Sequence, residues 1–173
     1  MKKRTLRKPD RISSAIKLST EIFHESYTGS HPDRACFYWV KAGILGFQNY
    51  DIEAIAQAGS VQWQISHHDN DHNAFAYSWQ GSQEVVIGGK LPEIHCWFIL
   101  PDLQILIDLT ARYQAANCLE MLGLNWSADL LLPETITIGY GKPHKNSDRW
   151  FYQPNQEAIK YLFKIWQLSP WGR

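Results

Sequence analysis

Two apolar segments, one containing His95 and the other Asp108, constrain the fold more than any other feature. EIHCWFIL (93–100) and LQILIDLT (103–110) are rich in branched and aromatic residues and are separated by a Pro-Asp pair. Such runs predict two adjacent antiparallel strands. A turn centred on the Pro-Asp pair joins residues whose numbers sum to 203, which places His95 opposite Asp108. Because opposite Cβ atoms on one face lie about 5 Å apart, we expect the imidazole and the carboxylate to hydrogen-bond.

A cysteine upstream gives this pair a chemical context. Cys36 lies near the start of an apolar helix predicted from Asp33 to Gly46, where the positive end of the helix favours thiolate over thiol. A nucleophilic cysteine needs a base and a group that orients the base, and His95 and Asp108 have those properties. The alternatives are a His–Asp pair that only stabilises the sheet and a cysteine that is inert core filler. Together the three residues favour a triad.

The remaining pattern predicts an α+β fold. Apolar residues recur at helical spacing from Asp10 to Phe23, and Asn155 is a candidate cap for a last helix over 156–168. A short helix over 51–59 is predicted to end at Gly59. Further segments predict strands over 61–66, 74–79, 84–89 and 134–140, and a helix over 113–122. Helices followed by an antiparallel meander and a final helix are typical of α+β domains.

Length and charge indicate one globular domain behind a short basic arm. The chain has 173 residues, of which 45% are apolar, and no apolar run approaches the roughly 18 residues of a membrane span. Residues 1–11 hold six of the 17 basic residues and one of the 17 acids. The domain over 12–173 is therefore mildly acidic, which does not favour DNA binding. The arm is either a flexible terminus or a contact for an acidic partner, RNA or an anionic membrane.

Cysteine content predicts a reducing, cytoplasmic location. There are three cysteines, Cys36, Cys96 and Cys118, and their number and spacing do not form a disulfide framework. The basic start lacks the apolar stretch of a secretory signal. Cys96 alternates to the face opposite His95, and Cys118 lies among apolar residues of a predicted helix. Both are expected to be core residues.

The segments RACFYWVKAGIL and IHCWFILPDLQILIDLT resemble the transglutaminase-like branch of the papain-like cysteine enzymes. That pattern is a cysteine that opens a helix, a His-x-Trp strand, and an aspartate at the end of the next strand. The matching positions are Cys36, His95-Cys96-Trp97 and Asp108-Leu109-Thr110. The resemblance covers about residues 30–112. It departs from the family pattern in the long stretch, with an extra helical piece, between the cysteine helix and the first strand.

The resemblance implies a papain-like core in which the nucleophile helix packs on an antiparallel sheet. It also implies a thiol hydrolase, such as an amidase or peptidase, or an acyltransferase. Such an enzyme acts through a thioester on a peptide, protein or small amide and needs no cofactor. The oxyanion would bind the Cys36 backbone N–H and one further donor. Candidates for that donor or for substrate contact are Gln62, Trp63, Gln64 and Trp97, and the first three could instead simply line the sheet.

A second polar cluster offers a different chemistry. The segment 67–72 contains five metal-capable side chains: His67, His68, Asp69, Asp71 and His72. A metal-dependent hydrolase is one interpretation, and a polar hairpin loop without metal is the other. A third hypothesis is a non-catalytic binding or accessory protein that keeps the fold.

Overall fold

The computed structural model of the chain describes residues 8–29, 35–66, 72–77, 94–110, 136–139 and 150–168. It confirms the α+β class. The elements are α1 (Lys8–Ser26), α2 (Cys36–Gln48), β1 (Ile55–Ser66), β2 (His72–Tyr77), β3 (His95–Leu100), β4 (Ile105–Asp108), β5 (Ile136–Gly139), β6 (Trp150–Pro154) and α3 (Gln156–Leu168). The strand predicted over 84–89 and the helix predicted over 113–122, with Cys118, lie outside the described residues. Among the described helices, none has the length and apolar character needed to cross a membrane.

All strand pairs among the described residues are antiparallel. The strand order is β2-β1-β3-β4-β5, and β6 also pairs with β1. The long strand β1 is therefore the hub: its first half pairs with β3, and its later residues pair with β2 and β6. The sequence pattern does not predict β6.

The helix predicted over 51–59 is wrong, because β1 begins at Ile55. Ala56 and Ala58 are buried while Ile55 is exposed, which is the alternation of a strand. A small residue suits position 59 because β6 pairs closely with β1 there. A Cβ atom on Gly59 would collide with the backbone of Gln153 in β6. The extra helical piece that departs from the family pattern is thus absent.

The predicted register of the β3–β4 hairpin is also wrong, by two residues. Phe98 pairs with Ile107 and Leu100 with Ile105, so the residue numbers sum to 205. A 3₁₀ turn over Pro101–Leu103, followed by a left-handed Gln104, makes the loop two residues longer than assumed. A shift of two keeps every side chain on its predicted face, because side chains alternate with period two.

Helix α2 lies between α1 and the sheet. Gly43 of α2 is so close to Phe98 of β3 that a Cβ atom there would meet the phenyl ring. On the other side, the Trp39 ring stacks on Phe23 of α1 with centroids 3.6 Å apart. These contacts bury a helix that is apolar along almost its whole length. They also fix how deeply Cys36, its first residue, lies against the sheet.

The last helix closes the fold as the sequence predicts. The Asn155 side chain caps α3 by accepting hydrogen bonds from the backbone N–H groups of Glu157 (2.9 Å) and Ala158 (3.2 Å). Near its other end, the Trp166 indole N–H donates to the Phe37 carbonyl of α2 at 3.0 Å. Helix α1 begins at Lys8, so the last four residues assigned to the basic arm are helical, and residues 1–7 lie outside the described part.

Candidate active site

Cys36 is the first residue of α2. The carbonyl of Ala35, the N-cap, accepts hydrogen bonds from the N–H groups of Tyr38 (2.9 Å) and Trp39 (3.0 Å), so the helical turn is formed directly after the cysteine. No acidic residue lies in the first turn to offset the positive end of the helix. The Cys36 thiol is buried and donates a weak hydrogen bond to the Ile94 carbonyl at 3.9 Å. The thiol therefore faces the chain just before β3.

His95, the first residue of β3, forms a direct hydrogen bond with Asp108, the last residue of β4. Nε2 of His95 and Oδ2 of Asp108 lie 2.8 Å apart, and both side chains are fully buried. The observed register makes the two residues diagonal neighbours rather than opposite ones. The predicted contact forms nevertheless, because diagonal residues of one face remain within reach of long side chains.

The Asp108 carboxylate is almost enclosed by donors. Among the described residues, Oδ1 accepts bonds from the Thr110 backbone N–H (2.8 Å) and hydroxyl (2.7 Å). Oδ2 accepts the bond from His95 and a second one from the Tyr152 hydroxyl at 2.7 Å. A carboxylate has about four acceptor positions, so these four donors fill them. The anion is thus held in one orientation although it is buried.

Aromatic rings cover the imidazole. The Trp97 ring lies on the same face of β3, with its centroid 6.3 Å from that of His95 and nearly parallel to it. The Tyr152 ring meets Trp97 edge-on at 5.1 Å. Trp97, one of the predicted substrate-contact residues, is therefore brought to the site and is buried.

Electrostatics favour a charged His95–Asp108 pair. Burial alone would lower the pKa of His95, but the adjacent Asp108 carboxylate, by its charge and its hydrogen bond, raises that pKa above the usual value for histidine. Burial alone would raise the pKa of Asp108, but His95 and the Thr110 donors lower it. Each group therefore stabilises the ionised form of the other.

The Cys36 thiol interacts electrostatically with the same pair. A hydrogen bond from the Cys96 side chain lowers the pKa of Cys36 most, and burial opposes it. The charge of His95 lowers this pKa further, while the charge of Asp108 raises it. The net pKa is below the usual value for cysteine. The pKa of Cys96 moves the other way, because burial and the hydrogen bond to Cys36 both raise it. Cys96 is a core residue as predicted, but it also adjoins the candidate nucleophile.

The structure locates the predicted oxyanion and substrate-contact residues of β1 only by their backbone. Strand β1 contains Gln62, Trp63 and Gln64, but the structure describes only their backbone. In β1, Gly59 is the residue opposite His95. Trp63 lies four residues after Gly59 in the same strand, where it pairs with Trp150. That separation is about 13 Å along the strand. The role of these three residues stays a prediction.

The predicted metal cluster lies almost entirely outside the described residues. His67, His68, Asp69 and Asp71 are not described, and only the backbone of His72 is, as the first residue of β2. Within the described part of the chain, no group of three or more potential ligands is close enough to hold a metal ion.

Sequence reasoning missed Tyr152. Its signal is weak, because FYQP precedes a cap residue and contains nothing that points to a carboxylate 44 positions earlier. Thr110 is part of the matched Asp-Leu-Thr motif, but only the structure gives it a function. It donates twice to the carboxylate two residues before it.

Comparisons with known proteins add little to this geometry. No protein-family model matches the chain. No curated protein matches it either. A solved crystal structure, described only as that of a genomics target, is similar over 95% of this chain and 73% of its own length. The identity is 14% and the TM-score is 0.45. A similarity of this size supports no inference about family or activity.

Proposed function

We propose that the protein is a cysteine-dependent hydrolase or acyltransferase that acts on an amide or ester, with Cys36, His95 and Asp108 as its triad. One observation carries the proposal. A helix-start thiol with a lowered pKa is electrostatically coupled to a buried His–Asp pair whose Nε2–Oδ2 distance is 2.8 Å. The same arrangement supports a papain-like core of the transglutaminase-like kind, with α2 as the nucleophile helix.

The first chemical step is attack by the thiolate. The Cys36 sulfur forms a bond to the substrate carbonyl carbon, and the carbonyl π electrons move to oxygen. The resulting oxyanion is stabilised by the backbone N–H groups in the first turn of α2, which helix geometry leaves without partners inside the helix. The positive end of α2 stabilises both the thiolate and this oxyanion.

The second step is departure of the leaving group. The oxyanion collapses to a thioester, the C–N or C–O bond breaks, and protonated His95 gives its proton to the departing amine or alcohol. Asp108 holds the imidazole by Nε2, so that the other ring nitrogen serves the reaction. Water or an amine then attacks the thioester carbon and gives a proton to neutral His95, and the C–S bond breaks to return the Cys36 thiolate. Water gives hydrolysis and an amine gives acyl transfer, and we favour hydrolysis because water needs no second binding site.

A purely structural role explains the buried ions less well. Removing two ionisable groups from water costs several kcal/mol each, and apolar residues of similar volume often stabilise a fold as well or better. A sheet that needed only stability would be served by apolar residues at these positions. Perturbed ionisable groups around a potential nucleophile are typical of catalytic sites.

Alkylation rates test the proposal. The full-length protein is treated with limiting iodoacetamide at neutral pH, and the labelling of each cysteine is followed by peptide mass spectrometry. Cys36 should react faster than Cys96, whose pKa is raised, because the thiolate is the reactive form. His95→Ala should slow Cys36 labelling. His24→Ala, at an exposed histidine of α1, is the matched control and should leave the rate unchanged.

An acylation experiment extends the test to chemistry. With an activated ester such as p-nitrophenyl acetate, an acyl group should appear on Cys36, and Cys36→Ser should lose this thioester. Addition of a primary amine should show whether the acyl group passes to water or to the amine. A Cys36 that is as slow as Cys96 and never acylated would refute the proposal and favour a non-catalytic binding protein of this fold.

A further inference from the structure

The hydroxyl of Tyr152 donates a hydrogen bond to the same carboxylate oxygen that His95 uses. The distances to Oδ2 of Asp108 are 2.7 Å from the Tyr152 hydroxyl and 2.8 Å from Nε2 of His95. Tyr152 belongs to β6, which pairs with β1, whereas His95 and Asp108 belong to β3 and β4. The contact thus joins a third strand to the hairpin that carries the pair.

We propose that Tyr152 is a positioning residue of this site, which fixes the Asp108 carboxylate and limits the negative charge that Oδ2 presents to His95. The proposal rests on the proposed function for its catalytic meaning. The contact itself is independent of whether Cys36 reacts.

The distribution of donors supports this role. Thr110 satisfies Oδ1 with two bonds, and therefore holds one end of the carboxylate. Without Tyr152, the donor that the described residues provide to Oδ2 would be His95. The Thr110 hydroxyl lies further away, at 3.4 Å from Nε2 of His95. A charged acceptor with one donor fewer interacts more strongly with the donor that remains.

A packing role alone would not require the hydroxyl. The Tyr152 ring meets the Trp97 indole edge-on at 5.1 Å, and a phenylalanine ring could make the same contact. The hydroxyl is a polar group in a partly buried position, and its hydrogen bond is directed at a fully buried anion. The ring and the hydroxyl therefore have separable functions, which a single substitution can distinguish.

The sign of the effect follows from the charges. A hydrogen bond from Tyr152 spreads the negative charge of Oδ2, and its loss should stabilise imidazolium and raise the pKa of His95. Cys36 from α2 and Cys96 from β3 are titratable groups that also interact electrostatically with the His95–Asp108 pair. Neither changes chemically in a tyrosine variant.

The test is Tyr152→Phe with Tyr50→Phe, a tyrosine of the turn after α2, as matched control. The His95 ring protons are titrated by NMR in each full-length protein. We expect an upward shift of the His95 midpoint in Tyr152→Phe, and no shift in Tyr50→Phe. Deprotonation of His95 should also change the rate of Cys36 alkylation, and the pH at which this change occurs should rise by a similar amount in Tyr152→Phe. A His95 titration that is unchanged or shifted downward in Tyr152→Phe would overturn the proposal.

A second measurement does not depend on the folding of that variant. Uniform replacement of tyrosine by 3-fluorotyrosine makes each phenol a stronger donor while it stays protonated across the usual histidine titration range, so the His95 midpoint should fall in the wild-type sequence. The absence of a fall would overturn the proposal. If the midpoint moves as expected while Cys36 proves unreactive, the positioning contact stands and the proposed function fails, so the two outcomes are distinguishable.

Discussion

The two faces of the β3–β4 hairpin are both buried, yet they are held by different forces. On the face towards α2, Phe98 and Ile107 pack in the apolar core, and close approach at Gly43 sets the fit. On the opposite face, His95 and Asp108 form hydrogen-bonded ions. An apolar face tolerates substitutions that conserve volume, whereas a buried polar network depends on every partner. The hairpin therefore has an apolar face that tolerates substitution, here called the adaptable face, and a polar face that does not, here called the strict face.

The largest expected effect is from removing one ion of the strict face. Asp108→Leu leaves His95 buried without its carboxylate and deprives Thr110 and Tyr152 of their acceptor. We expect the free energy of unfolding, measured by urea titration, to fall by about 3–5 kcal/mol.

Two further variants sharpen this comparison. His95→Leu combined with Asp108→Leu removes both ions and should recover a large part of the lost stability. Ile107→Val, on the apolar face of the same hairpin, should cost only about 0.5–1.5 kcal/mol. Equal losses from Asp108→Leu and Ile107→Val would show that the two faces do not differ as argued.

A smaller effect is expected from pH, since a neutral carboxyl or imidazole keeps part of its hydrogen bonding. The lowered pKa of Asp108 gives stability that is lost as pH falls below about 3.8, through the folded pKa. The raised pKa of His95 gives stability that is complete below about 6.5 and is lost as pH rises through the folded pKa. The stability advantage of wild type over the double leucine variant should therefore peak between these values. An advantage that does not change with pH would contradict the ion pair.

The last and smallest change is expected in a labelling rate rather than in stability: Cys96→Ala tests whether the apolar face of the hairpin influences the Cys36 thiol. Cys96 belongs to the apolar face, but its hydrogen bond is the largest cause of the lowered pKa of Cys36. Its removal should raise the pKa of Cys36 and slow alkylation at neutral pH. The measurement is the pH–rate profile of Cys36 labelling. Cys96→Ser, which keeps a donor, should retain more of the wild-type rate. Identical rates in all three proteins would show that Cys96 does not influence the reactivity of Cys36.

The alternation of side chains between two faces predicted the central hairpin, because this pattern is contained within the two strand segments themselves. EIHCWFIL and LQILIDLT alternate between two faces, and that alternation survives the two-residue error in register. The segment 51–59 misled because alanines suit a helix, whereas the strand there is fixed by pairing with β3. Tertiary contact overrode local propensity at that point.

The candidate site was predictable as far as its residues carry motifs. Cys36, His95 and Asp108 each lie at an element boundary with a recognisable pattern. Tyr152 could not be found in this way, since nothing near it in the sequence indicates that β6 pairs with β1 and delivers a hydroxyl to Asp108. The part of a site that comes from long-range pairing requires the structure.

The hydrogen bond from the Trp166 indole to the Phe37 carbonyl has a consequence for the timing of assembly. It joins residues 129 positions apart, and it anchors the first turn of α2 next to Cys36. During synthesis, which adds about 5–20 residues per second from the N-terminus, Trp166 emerges long after the cysteine. The nascent chain thus contains its Cys36 thiol for many seconds before this support of the helical turn exists, so the local geometry around the thiol depends on a contact that forms late.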